Sequence, residues 1–147
     1  MDNTVEGQTM TGIRSRLVLA AVISLALVAC SKDTAVTADI DAVSTFSKEL
    51  VSKVKTAADP SSGVASAQAY LEEHRADMRE RVARVGSVRG FQISDDTKKK
   101  VMGVMMAATS EVNTLKISLM MQVMNDEALE KNLSKLIDDL NALLKSA

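Results

Sequence analysis

An all-α fold, a small antiparallel bundle of three to four helices, is what this sequence predicts, on three observations. Phe46, Tyr70 and Phe91 are its only aromatic residues, and Pro60 is its only proline. Alanine, leucine, methionine, lysine and glutamate dominate instead, and these residues favour helix. Beyond residue 38, apolar positions recur at spacings of three and four, the signature of one buried helix face.

The N-terminal segment comes first. Leu17 to Ala29 is an uncharged apolar run of 13 residues behind Arg14 and Arg16. A basic stretch, a short apolar core and small residues before a cut site make a secretory signal peptide. A membrane-spanning helix needs roughly 20 apolar residues, more than this run supplies. A core helix would instead carry polar residues at helical period. Asp2 and Glu6 are unusual ahead of such a stretch, so Met10 is the expected start of translation.

The run ends in Leu27-Val28-Ala29-Cys30, and Cys30 is the only cysteine. These residues resemble the lipobox of bacterial lipoproteins, a likeness that covers residues 14–31. The resemblance implies that the Cys30 thiol receives a diacylglyceryl group, that residues 1–29 are removed and that the new N-terminus is acylated. It also implies attachment to the cell envelope, with the membrane as a partner through the lipid on Cys30. Ser31 rather than Asp follows the cysteine, which by the same resemblance favours the outer membrane, facing the periplasm, over the inner.

What remains, Cys30 to Ala147, is 118 residues with 16 basic and 17 acidic side chains. That length suits one small domain. Near-neutral, interspersed charge gives no electrostatic case for nucleic acid. With Cys30 used as an anchor, no thiol is left for a disulfide, a zinc cluster or a nucleophile.

Residues 30–38, the lipidated cysteine and Ser-Lys-Asp-Thr-Ala-Val-Thr-Ala, read as a flexible tether. The bundle domain is then 39–147. Its first helix is expected from Asp39 to Ala58, with Ile40, Val43, Phe46, Leu50, Val54 and Ala57 on one face. Asp39 and Asp41 would sit at the positive end of its dipole, and Lys53 and Lys55 at the negative end. Asp59-Pro60-Ser61-Ser62-Gly63 stops it.

A second helix, about Ala65 to Val85, carries Val64, Ala67, Leu71, His74, Met78, Val82 and Val85 in one stripe. Asp77–Arg81 and Glu80–Arg84 are i,i+4 pairs on its outer face. Gly86 and Gly90 bracket a loop ending in Phe91-Gln92-Ile93. Ser94 caps the third helix, and Asp95 and Asp96 occupy its first turn. Its stripe is Val101, Met105, Ala108, Val112, Leu115, Leu119 and Val123. A second row, Met102, Met106, Ile117, Met120 and Met124, widens the apolar face, so this helix should be the most buried. Met124 to Glu127 reads as a tight turn, with a kinked continuous helix as the rival. The last helix, about Asp126 to Lys145, is a ladder of Leu129, Leu133, Leu136, Leu140 and Leu143, broadened by Ile137 and Leu144.

Six of the nine methionines lie between Met102 and Met124. Thioethers are soft ligands suited to Cu(I), so Met102, Met105, Met106, Met120, Met121 and Met124, with His74, form the alternative copper-binding reading. The structural reading is core filling or an adaptable binding surface. One histidine and no spare cysteine cannot close a zinc site alone.

Glu72-Glu73 and Asp138-Asp139 are adjacent pairs that diverge around a helix. The chain lacks a Glu-x-x-His motif, a Gly-x-Ser-x-Gly elbow and a glycine-rich phosphate loop. No catalytic residues and no cofactor are expected. Lys98-Lys99-Lys100 is the one basic run, a solvated face or a contact for anionic headgroups. Arg75, Arg79, Arg81, Arg84 and Arg89 make a second, looser basic area. The expected function is a lipid-anchored, non-catalytic helical domain that binds a protein partner or supports the envelope. Its working surface is the Met102–Met124 row if part of that row stays exposed.

Overall fold

In the computed structural model the backbone is described for residues 11–146 and the side chains for residues 32–146. The described chain is all α: α1 (Thr11–Lys55), α2 (Pro60–Ser87), a 3-10 turn (Gly90–Gln92), α3 (Asp95–Ser118), α4 (Met120–Val123) and α5 (Glu127–Leu144). Among the described residues, no helix is long and apolar enough to cross a membrane. The expectations for the signal peptide and for the Cys30 thiol fall on side chains outside the described residues.

Short polar side chains set the helix starts. Asp59 caps α2, accepting from the Ser62 N–H at 2.8 Å and from the Ser62 hydroxyl at 2.7 Å. Pro60 follows at the first helical position, where its missing N–H costs nothing. Helix α2 therefore begins five residues before the expected Ala65. The segment that stops α1 is the same one that starts α2. Ser94 caps α3 through the Thr97 N–H at 3.2 Å, and Asp126 caps α5 through the Leu129 N–H at 2.9 Å. A turn, rather than a kinked continuous helix, thus separates the methionine-rich segment from the leucine ladder.

Packing follows the stripes. Ile40, Val43, Phe46, Leu50 and Val54 of α1 are buried against Val64, Ala67, Leu71, Met78 and Val82 of α2 and the α5 leucines 129, 133, 136, 140 and 143. Helix α1 packs against α2 and α3, and α2 packs against α1 and α5. Cross-links fix the directions. Ser94 meets Asp33 at 2.8 Å and Lys100 meets Asp41 at 2.7 Å, so α3 runs parallel to α1. Gln68 reaches Asp139 at 2.8 Å and Ser61 lies 3.5 Å from Asp126, so α5 runs parallel to α2. The helices alternate up and down, and the α2–α3 connection crosses the bundle beside α1 rather than joining neighbours.

Two expectations need correction. Residues 32–38 are not a tether. They are helical within α1, with Val36 buried at 4 % exposure and the Asp33 carboxylate accepting from the Ser94 N–H at 2.8 Å. Small residues without an obvious period can still follow a helix when one of them, Val36, reaches the core. As a result Asp39 lies in mid-helix, away from any dipole end, and it takes Arg81 and Arg84 as partners instead. The second correction is that α3 is not the most buried helix. Only Thr97, Ala108, Val112 and Leu115 of α3 are buried. The second row that was to widen its apolar face points outward.

Candidate functional site

That outward row is the main candidate. Met102, Met106, Ile117, Met120, Met121 and Met124 are exposed by 63, 67, 74, 59, 73 and 72 % respectively. At 3.6 residues per turn, the row lies roughly a third of a turn around the helix from Ala108, Val112 and Leu115. One helix cannot bury both faces against one neighbour. The core face meets α1 and α5, which leaves the methionine face unpaired within the described residues. Between the methionine clusters the surface dips into an open concavity of about 580 Å³, lined by Met105, Met106, Thr109, Ser110, Asn113, Thr114 and Ile117.

The helix breaks at Leu119, within this row. Leu119 has φ −100° and ψ 4°, which ends α3 and re-aims the chain into α4. The Asn125 side-chain Nδ2 donates to the Met121 carbonyl at 2.9 Å, closing the end of α4 before the Asp126 cap. Leu119 and Val123 pack partly against the core, while Met120, Met121 and Met124 face out. Met102 and Met106 before the break and Met120, Met121 and Met124 after it are all exposed.

The structure sets two of the seven candidate copper ligands, Met105 and His74, apart from the other five. Met105 packs against the core and the other five methionines lie on the outer face of α3 and α4. His74 sits on α2 in an aromatic group, its ring 4.4 Å from Tyr70 and 6.2 Å from Phe46. Phe46 and Tyr70 stack at 5.4 Å, and Lys53 lies 4.7 Å over the Tyr70 ring. Tyr70 also donates to Glu49. Burial, then the Glu49 carboxylate, pushes the Tyr70 hydroxyl up to about 12. The position of His74 on the α2 stripe is explained by packing, with Met78 buried one turn on.

The charged groups form pairs. Asp77–Arg81 and Glu80–Arg84 are made at 2.9 and 2.6 Å, as their spacing predicts. Sequence spacing could not show Asp39 beneath both arginines. The Arg84 guanidinium grips Asp39 through two bonds of 2.8 and 2.9 Å, and Arg81 adds a third at 3.2 Å. The Arg84 hydrogen bonds, against partial burial, hold the Asp39 carboxyl below its ordinary range. Lys98, Lys99 and Lys100 pair with Asp95, Asp96 and Asp41, so the basic run is largely neutralised. Among the described residues, no group of three or more His, Cys, Asp or Glu side chains could hold a metal ion.

Sequence reading missed one more exposed residue. Phe91 is 81 % exposed at the centre of the 3-10 turn, and the signal was a lone aromatic one residue after Gly90. No family model, no curated protein and no solved structure matches the chain.

Proposed function

We propose that this chain is a lipid-anchored protein of the bacterial cell envelope whose helical domain binds another protein, without catalysis, through the methionine row of α3 and α4. The carrying observation is the line of six large apolar side chains left in solvent. An apolar patch of this kind on a folded domain marks an interaction site. Methionine suits an adaptable site because its unbranched, polarizable side chain repacks around different contours. The partner surface that fits is an apolar helix face laid along α3, with anchors spaced at three and four residues. The lipobox-like Leu27 to Cys30 supports the anchor, and Ser31 favours the outer membrane, facing the periplasm.

The test is a photo-crosslinking residue placed in turn at Met106, Met121 and, on another face, Lys131, in cells fed labelled palmitate. We expect a discrete protein adduct from positions 106 and 121 and none from 131. The adduct band should carry palmitate label that Cys30→Ser removes. Equal adducts from all three positions, or none from 106 and 121, overturn the binding surface. Label that survives Cys30→Ser overturns the anchor.

A further inference from the structure

We propose that the 3-10 turn at Gly90–Gln92 is a membrane-contacting element, with Phe91 inserted among lipid headgroups at the anchor-proximal end of the bundle. The inference rests on the envelope-anchoring reading and adds to it an orientation and a second lipid contact. It does not involve the methionine row.

The first observation is where the turn sits. The Ser94 N–H donates to Asp33 at 2.8 Å, and the turn itself packs against α1. That bond ties the α2–α3 connection to α1 at Asp33, one turn before the first buried core residue described, Val36. Residue 33 is three positions beyond Cys30, a rise of about 4.5 Å along a helix. On the envelope-anchoring reading, a lipid on Cys30 sets the membrane boundary at residue 30. The headgroup layer on each side of the hydrocarbon is about 5–8 Å deep. The turn is therefore held at the level of the headgroups.

The second observation is how firmly the exposure of Phe91 is imposed. The Gln92 N–H donates to the Arg89 carbonyl at 2.8 Å, and the Arg89 N–H donates to the Gln92 side-chain oxygen at 3.1 Å. Gln92 and Ile93 are partly buried, which anchors the outgoing side of the turn. The Phe91 ring, just ahead of them in the chain, projects at 81 % exposure. The largest apolar side chain available is thus fixed outward on a twice-bonded turn.

The third observation is the company it keeps. Arg89 adjoins Phe91, with no ion pair among the described residues, and Lys98 and Lys99 stand one turn into α3. Asp95 and Asp96 offset these two lysines, which leaves Arg89 as the cation without an ion pair near the ring. Asp33 is satisfied by the backbone N–H of Ser94, which holds its carboxyl below the ordinary range. An aromatic wedge beside cations is the composition of an interfacial lipid contact.

The chain contains no tryptophan, so a single introduced indole reports alone. The test uses the membrane-extracted full protein carrying Phe91→Trp or, at the far end of the bundle, Met121→Trp. Each is reconstituted into phosphatidylcholine vesicles with and without phosphatidylglycerol. Circular dichroism first confirms that both variants unfold at the wild-type midpoint. Flotation reads anchoring, and indole emission with brominated acyl chains as quencher reads depth. We expect both variants to float, and the position-91 emission to shift to the blue and lose intensity to the bromines. Position 121 should show neither change. Emission at 91 that stays water-like in floating protein overturns the proposal and leaves anchoring intact, as does equal quenching at 91 and 121. Protein that does not float overturns the anchor and this contact together.

Discussion

Asp39 shows how one side chain can join helices whose sequence spacing gives no hint of the contact. Its carboxylate is about 10 % exposed and takes three hydrogen bonds from two arginines, each of which is also paired on its own helix. Hydrogen bonds to charged groups contribute roughly 1.5–3 kcal/mol, and exposed i,i+4 pairs far less. Asp39→Asn should therefore destabilise the fold by about 2 kcal/mol at neutral pH, because Arg81 and Arg84 retain Asp77 and Glu80. The pH dependence has a definite sign. The carboxyl is held below its unfolded value of about 3.9, so its contribution is complete above that pH and is lost as pH falls through the folded value. Urea unfolding of wild type and Asp39→Asn should show the gap closing below about pH 4. A gap that is constant with pH would assign the loss to packing rather than to the ion pair.

At the scale of elements, two glycines inside helices call for opposite outcomes. Gly63 is buried where the first turn of α2 meets the end of α1. A Cβ there would stand 2.9 Å from the Ala57 Cβ and 3.0 Å from the Val54 carbonyl oxygen. Backbone cannot give way as a flexible side chain can, so Gly63→Ala should cost about 1–3 kcal/mol as overpacking separates the helices. Gly103 lies in α3, where an added methyl group would meet nothing within 4 Å. There the helix preference of alanine acts alone, and Gly103→Ala should stabilise by about 0.5–1 kcal/mol. Thermal unfolding of the two variants checks both signs.

The elements also show what the sequence could and could not disclose. The α5 leucines are all buried as their spacing required, because a single narrow stripe has only one face to offer the core. Helix α3 has two apolar rows, and spacing alone does not say which row has a neighbour. The described residues form four long helices, and α3 sits at the edge of that arrangement, so only the Ala108–Val112–Leu115 row is covered. The methionine row was visible in sequence as a cluster. Its exposure was not, because exposure depends on how many helices surround α3. Phe91 and the Asp39 pairs depend likewise on the crossing of the α2–α3 connection, a tertiary fact with no local signature.

For the molecule as a whole, the helical state of residues 32–38 moves the domain boundary and bears on the proposed membrane attachment. A tether would let the bundle range freely above its attachment point. A helix running from the base of the core through Val36 and Asp33 transmits the orientation of the bundle to the chain that precedes it. The two arrangements differ in stability as well as geometry. A chain beginning at Cys30 keeps every buried residue of the described core, whereas one beginning at Asp39 loses Val36, which is 4 % exposed, and the Asp33–Ser94 bond. Loss of the buried valine alone is worth about 1.5–3 kcal/mol. For a domain of this size that lowers the unfolding midpoint by roughly 4–15 °C. Calorimetry on chains 30–147 and 39–147 should find the first within a few degrees of the full chain and the second well below it, with Ser94 and its neighbours exchanging their amide hydrogens faster. Equal midpoints for the two would return residues 32–38 to the role of a tether, and would remove the rigid link on which the proposed membrane contact of Phe91 depends.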